Sequence, residues 1–278
     1  MNDRNEAGTP PRYRTLWISD VHLGTRGCQA EALAAFLKAT DCERLYLVGD
    51  IIDGWKLRTE FYWPQAHSNV IRRILTKAKR GTQVVYVVGN HDDFLRKFLA
   101  FEPRMGNIRV AQEHVHRTAD GRRLLVIHGD QFDVITRYHR WLARAGDAAY
   151  HAAMEANRWI NRARRLAGLG HWSLAGFAKQ HVKAAVNIIS DFESSVAREC
   201  RIRRFDGIVC GHIHHAEIRQ IHGVTYHNCG DWVESCTALA EDFDGRIRIL
   251  RPALAPQDLE AESPAPAKIL PLRLRQSA

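Results

Sequence analysis

Five short apolar runs in this chain all end the same way, and that regularity limits the fold more than any other feature. Leu16-Trp17-Ile18-Ser19 runs into Asp20-Val21-His22, and Leu45-Tyr46-Leu47-Val48 runs into Gly49-Asp50. Val84-Val85-Tyr86-Val87-Val88 leads into Gly89-Asn90-His91-Asp92. Leu124-Leu125-Val126-Ile127 enters His128-Gly129-Asp130, and Ile208-Val209-Cys210 enters Gly211-His212-Ile213-His214. Short runs rich in β-branched and aromatic residues and closed by turn residues read as buried strands. In an α/β sheet the carboxyl ends of such strands line up along one edge, where ligands bind. The pattern therefore predicts an α/β fold in which Asp, Asn and His from five distant segments meet, and such a meeting predicts a metal site.

The rest of the chain fits around those strands. Residues 1–12 read as a disordered lead-in. Ala32, Leu33, Phe36 and Leu37 give one apolar helical face. Residues 51–66 read as an aromatic-rich loop (Trp55, Phe61, Tyr62, Trp63) with Asp53 near its start. A basic helix is expected over about 67–80, with Val70, Ile71, Ile74 and Leu75 inward and Gly81 stopping it. Phe94 to Phe101 reads as a short helix ending before Pro103, and Asp120-Gly121 and Asp244-Gly245 mark hairpin turns. Residues 13–133 and 205–252 thus form the main domain. Between them, 134–204 lacks strand signals and carries two amphipathic helical patterns, the second with Val182, Val186, Ile189, Phe192 and Val196. After Pro252 the Pro, Ala and Glu content rises, and 253–278 reads as a flexible tail.

A formal net charge of +9 across 278 residues favours anionic partners: phosphate esters, nucleic acid or an anionic membrane surface. Six scattered cysteines without a C-x-x-C pair fit reduced thiols in the cytoplasm better than a disulfide framework. Cys210 and Cys229 read as small buried apolar residues. Residues 1–14 do not resemble a secretory signal, and no apolar run approaches the roughly 20 residues needed to span a bilayer. Membrane contact is therefore expected to be peripheral.

At the five turns the donor set is oxygen and imidazole nitrogen without thiolate, which suits Mn²⁺, Fe²⁺, Mg²⁺ or Zn²⁺. Asp20 and His22 are two residues apart and face one side of an extended segment. His212 and His214 have the same spacing and can straddle two ions. Asp50, with two oxygens, is the natural bridge, Asn90 supplies a neutral carbonyl, and His128 completes the set. Asp53, Asp130, His215 and His227 read more readily as turn, surface or core residues, although Asp53 and Asp130 stand close enough to support the ligands.

Taken together, D-x-H, G-D, G-N-H-D, H-G-D and G-H-x-H, in that order, resemble the calcineurin-like metallophosphoesterases. The resemblance implies a two-sheet αββα sandwich and two divalent ions. Asp20, His22, Asp50 and His214 would hold one, and Asp50, Asn90, His128 and His212 the other. The ions would clamp an in-line displacement by a bridging hydroxide. His91 would protonate the leaving oxygen or neutralise transition-state charge, and Asp92 would orient it through the other ring nitrogen.

Gly49-Asp50-Ile51-Ile52-Asp53-Gly54-Trp55, the helical insert and Gly230-Asp231-Trp232 further resemble the UDP-2,3-diacylglucosamine hydrolase branch over about 14–250. These are peripheral inner-membrane enzymes of lipid A synthesis that split a pyrophosphate, typically with Mn²⁺. That implies a cytoplasmic location and a nucleotide-linked lipid substrate, with 134–204 as a helical lid over the acyl chains. Lys179, Lys183 and Asn187 fall on one helical face, which reads either as a diphosphate contact or as a solvated polar face. The branch usually carries Arg directly after the metal-binding Asn, whereas His91 stands here, as in the wider family. The alternatives are a phosphodiesterase or nuclease on the same fold, and a non-catalytic scaffold. Nucleic acid is disfavoured because no groove of stacking aromatics is evident. The sequence does not set the oligomeric state.

Overall fold

In the computed structural model, which describes residues 10–132 and 192–252, two β-sheets lie face to face with helices on their outer sides. The first sheet is built from β1 (Arg12–Ile18), β2 (Asp41–Val48), β3 (Gln83–Val87), β4 (Arg104–Met105), β5 (Ile108–Ala111), β11 (Ala238–Glu241) and β12 (Ile247–Leu250). Its order is β12-β11-β1-β2-β3-β5-β4. The second contains β6 (Glu113–Arg117), β7 (Arg123–Ile127), β8 (Gly207–Cys210), β9 (Glu217–Ile221) and β10 (Val224–Asn228), in the order β6-β7-β8-β10-β9. β1, β2 and β3 run parallel, as do β7 and β8, so their carboxyl ends share one edge of the sandwich.

Strand alternation sorts the side chains into layers. Trp17, Tyr46, Val48, Val85 and Val87 meet Leu124, Val126 and Val209 between the sheets. Leu16, Ile18, Leu45 and Leu47 point the other way, toward α1 (Ala30–Ala39) and α3 (Gln65–Lys79). On the far side, Phe192, Val196, Ala197 and Cys200 of α4 (192–202) cover Leu125, Ile127 and Ile208. The result is the expected αββα sandwich.

Three local expectations change. Residues 51–66 contain a helix, α2 (Gly54–Thr59), whose start is capped by Asp53 Oδ1 accepting from Lys56 N at 2.8 Å. On α3 the buried residues are His67, Val70, Ile74, Lys77 and Ala78, while Leu75 is 49% exposed. Position 75 is one residue off the i, i+3, i+7 stripe set by Val70 and Ile74, and Lys77 fills that stripe by donating from Nζ to Thr40 O and Asp41 Oδ1. The segment Asp93–Phe101 is a 3₁₀ rather than an α-helix. The hairpin turns at Gly121 and Gly245 form as read, both glycines having positive φ. Most of the expected insert, the tail 253–278, and Lys179, Lys183 and Asn187 lie outside the described residues. Among the described residues no helix is long and apolar enough to cross a membrane, and all six cysteines are buried and form no disulfide.

One buried polar knot ties the sheets together. Glu241 on β11 accepts from Arg14 Nη1 (2.6 and 2.7 Å), Thr15 Oγ1 (2.7 Å) and Ala119 N (2.7 Å). His116 Nε2 of the other sheet lies 2.9 Å away. Burial resists the charge on Glu241, but these donors overcome it and hold its carboxyl down at about 2. His116 is kept neutral chiefly by burial and serves as a donor, so Arg14 is the countercharge. A carboxyl lowered on folding contributes stability that is complete above its unfolded value of about 4.5 and is lost as pH falls toward 2. Glu241→Leu strands three donors and a charge and is expected to cost about 3–5 kcal/mol. Chemical denaturation at pH 7 measures that cost, and acid unfolding of the variant should begin from an already lowered plateau.

Candidate metal centre

Each of the five turns delivers its polar side chain where the parallel strands end. Among the described residues three groups of potential ligand atoms form: one joins His22 to Asp53 and His91, and the two that carry the expected ligands are Asp20 with His22 and His214, and Asp50 with His128 and His212. Within each group the atoms lie within 4.8 Å of one another. Asp50 Oδ2 stands between them, 3.3 Å from His128 Nε2 and 4.0 Å from His22 Nε2. Asp20 Oδ1 is 3.2 Å from His214 Nε2. Three buried atoms, His22 Nε2, Asn90 Oδ1 and His128 Nε2, have no hydrogen-bond partner. An unsatisfied buried polar atom costs about 1–3 kcal/mol, and a cation bound among these three would remove that cost. All are Lewis bases, and this donor set fits divalent cations.

The backbone is strained to make this arrangement. Asp20, His22, Asp50, His212 and His214 all have positive φ, between 50° and 73°. Such conformations cost of order 1–3 kcal/mol each and persist where the surroundings enforce them. Here the turns brace one another. Val21 N and His22 N both donate to Asp50 O, His91 N donates to Asp50 Oδ1 (2.8 Å) and His212 N to Asp20 Oδ2 (2.9 Å). Gly89 and Gly211 permit the close approach, since a β-carbon on Gly89 would fall 2.2 Å from Asp50 Oδ1 and one on Gly211 2.4 Å from Asp20 Oδ2.

Ring nitrogens are assigned by what holds their opposite sides. His128 Nδ1 is 3.0 Å from Val48 O and so carries a proton, which leaves Nε2, on the side of Asp50, as the nitrogen available to a cation. His22 Nδ1 is held in the same way by Asp53 Oδ2 at 3.2 Å. Burial disfavours charge on Asp20 and Asp50, yet surrounding histidines, His214 for Asp20 and His128 for Asp50, hold both below the ordinary carboxylate range. Burial likewise disfavours charge on His128, yet Asp50 and Asp20 push it up to about 10. This cluster calls for positive charge. Divalent cations would supply it and release the histidines to bind as neutral ligands.

His91 sits at the rim with 23% of its side chain exposed. Its Nε2 is 3.9 Å from Asp50 Oδ2, and its Nδ1 is 3.0 Å from Asp53 Oδ2. The Trp55 ring lies against it, 4.3 Å between centroids. Burial lowers the ring's affinity for a proton, but the Asp53 contact and the charge of Asp50 raise it above the usual histidine value. The expectation that Asp92 orients His91 is corrected. The Asp92 carboxylate turns inward, accepting from Ile51 N (3.1 Å), Ile52 N (2.8 Å) and Tyr86 Oη (2.6 Å). It fixes the backbone after Asp50, and Asp53 takes the place beside the ring. Asp53, read as a turn residue, thus touches both His22 and His91 and also caps α2. The signal for it was its position three residues after Asp50, on the same turn.

Further support comes from residues that the sequence did not assign to the site. Asn228 Nδ2 donates to Gly211 O (2.8 Å), Ser19 Oγ to Gly230 O (2.8 Å), and Trp232 N to Asp20 O (3.0 Å). Phe192 of α4 lies against the His212 ring. Asp130 pairs with Arg96, His215 is exposed, and His227 is a buried core histidine bonded to Ile208 O. Burial lowers the pKa of His227 to about 4.

Comparison with known proteins agrees with this arrangement. The family model described as calcineurin-like phosphoesterase matches residues 13–216. A UDP-2,3-diacylglucosamine hydrolase of Neisseria gonorrhoeae is 25% identical over 241 residues, covering 84% of this chain and 96% of that protein. The enzyme of that name from Edwardsiella ictaluri is 30% identical over 122 residues, 42% of this chain and 44% of that one. Among solved structures, a phosphopantetheinyl hydrolase from Mycobacterium tuberculosis aligns over 80% of this chain and 90% of its own, at 15% identity. Its TM-score of 0.38 is too low to bear on function. The match spans all five turns that carry the candidate ligands, and the chain belongs to the calcineurin-like phosphoesterases, a family of phosphoester hydrolases.

Proposed function

We propose that this chain hydrolyses the pyrophosphate bond of a UDP-linked lipid such as UDP-2,3-diacylglucosamine, with two divalent cations, Mn²⁺ foremost. One observation carries the substrate class: relatives named for that reaction align over 84% of this chain and 96% of their own length. Asp20, His22, Asp50 and His214 would hold one cation, and Asp50, Asn90, His128 and His212 the other. Bound there, the pair supplies Lewis acidity, acidifying water and neutralising charge on the phosphoryl oxygens. The protein's part is to fix seven donors on braced turns. It also presents the His91 Nε2 edge to the reacting group, with Nδ1 anchored on Asp53.

An amphiphilic substrate suits the rim. Trp55 is 45% exposed beside His91, and Phe98 and Phe101 are 46% and 80% exposed on the segment that follows the Asn90 turn. Lys179, Lys183 and Asn187 are the proposed diphosphate contacts, and 134–204 the proposed acyl-chain lid. The setting is the cytoplasmic face of the membrane that holds the lipid. Release of UMP from UDP-2,3-diacylglucosamine by the Mn²⁺-loaded protein tests this reading. Failure there alongside turnover of UDP-sugars or cyclic nucleotides would reject the lipid assignment and leave the hydrolase intact.

His91 itself favours a second reading, a phosphodiesterase with an alcohol leaving group. A departing phosphate, with a second pKa near ~6, needs little protonation, whereas an alkoxide needs a proton. His91 and Asp53 form an acid suited to the latter. Asp53→Asn removes the contact that raises the proton affinity of His91. Since the acid must be protonated to act, the alkaline limb of the pH–rate profile for an alkyl phosphodiester should move to lower pH at saturating Mn²⁺. An unmoved limb would assign that ionisation to another group.

A further inference from the structure

Beside the first half of β3 and β5 the two sheets leave an open seam. Its cavity of about 350 Å³ is lined by Arg44 of β2, Arg104 of β4, Arg109 of β5 and His114 of β6, with Tyr46 and Asn107 beside them. Arg44 precedes Asp50 by six residues, which puts its backbone ~20 Å from that turn at the strand rise of ~3.3 Å per residue. Such a volume falls within the range of about 300–1,000 Å³ usual for small-molecule sites.

The charge in this seam is uncompensated. No carboxylate lines it, and among the described residues Arg44, Arg104 and Arg109 make no ion pair. Arg104 and Arg109 are direct cross-strand partners in the β4–β5 pairing. Like charges placed opposite each other across antiparallel strands destabilise the pair, so the hairpin holds a repulsion that an anion between the two forks would relieve. Arg109 also pairs with Val85, and Val85 with Tyr46, which places its side chain on the inter-sheet face with Arg44. His114 has its proton affinity lowered by burial and then by Arg109, His116 and Arg44, as expected in a positive field. It stays neutral, and its ring lies within 3.1 Å of the Tyr46 hydroxyl. An adjoining groove shares Arg44 and Gln83 and adds Arg12 and Arg80, but there Glu43 offsets Arg12.

We propose that this seam is a second anion site, separate from the metal centre, that binds a small soluble molecule through a phosphate or pyrophosphate group. The guanidinium forks of Arg104 and Arg109 match phosphate oxygens two at a time, and Arg44 closes the third side. Occupancy would tie β2, β4 and β5 to β6 across the open side of the sandwich.

Inorganic pyrophosphate is the probe, added to the full chain with EDTA present so that the metal centre does not compete. Pyrophosphate should raise the wild-type melting temperature saturably, beyond the effect of sodium chloride at equal ionic strength. The Arg104→Gln/Arg109→Gln variant, relieved of the repulsion, should melt at or above the wild-type temperature without anion. Its pyrophosphate affinity should fall by about tenfold or more, the loss of at least one charge-assisted contact. With Mn²⁺ restored, it should turn over bis(p-nitrophenyl) phosphate like the wild type, which shows that the fold and the metal centre are sound. The proposal is overturned if sodium chloride reproduces the wild-type shift, or if the variant responds to pyrophosphate as the wild type does. Neither result would touch the assignment of the metal centre.

Discussion

Asp50→Asn should abolish nearly all turnover while leaving the protein folded. Asp50 Oδ2 is the oxygen within reach of both ligand groups, so its loss removes a donor from each cation site at once. The Lewis-acid contribution of such a pair is worth several kcal/mol, and at 1.36 kcal/mol per decade this is a fall of about 10³-fold or more in kcat. The fold should tolerate the change. The carboxylate sits in a buried cluster where desolvation already opposes its charge, and the amide can still accept from His91 N through its oxygen. Steady-state rates at saturating Mn²⁺, set beside thermal melts without metal, separate the two effects. A variant that unfolds would mean that Asp50 serves structure, and one with near wild-type rates would remove it from the centre.

The second large effect depends on the substrate. His91→Gln keeps a polar side chain against Trp55 but cannot deliver a proton. With an alkyl phosphodiester, whose leaving alkoxide is strongly basic, the loss should be about 10²–10⁴-fold in kcat. With a pyrophosphate, or with p-nitrophenolate as leaving group, it should be much smaller and confined to the charge that His91 places near the reacting phosphoryl. Comparing wild type and variant across leaving groups of graded basicity reads this directly. An equal loss for all leaving groups would make His91 a purely electrostatic residue.

How much of this was legible in the sequence depended on the distance over which each contact is set. The seven proposed ligands directly follow strands, and strand ends are visible locally as apolar runs closed by turn residues. Parallel neighbours then bring those ends together, as Asp20, Asp50 and Asn90 show on adjacent strands. The histidine-supporting role assigned to Asp92 failed because adjacency in sequence is not adjacency in space. At a tight turn, neighbouring side chains diverge, and Asp92 is drawn inward by the free N–H groups of Ile51 and Ile52, forty residues upstream. Asp53 was underrated for the complementary reason. As a turn residue opening an aromatic-rich loop it had a sufficient local explanation, and its partner His91 arrives from another strand. On α3, Leu75 was placed inward with the other apolar residues, whereas Lys77, three residues past Ile74, takes the buried position by finding oxygen partners. The arginine-lined seam left no sequence signature at all, because β2, β3, β4, β5 and β6 supply one to three residues each and only the strand register joins them.

The account rests on seven side chains from five turns holding two cations around Asp50. Elemental analysis of the Mn²⁺-loaded chain after exhaustive dialysis measures this most directly. Two manganese ions per chain are expected for the wild type, with at least one of them lost in Asp50→Asn. Fewer than two ions per wild-type chain in a preparation at full activity, or two ions retained by Asp50→Asn, would contradict it.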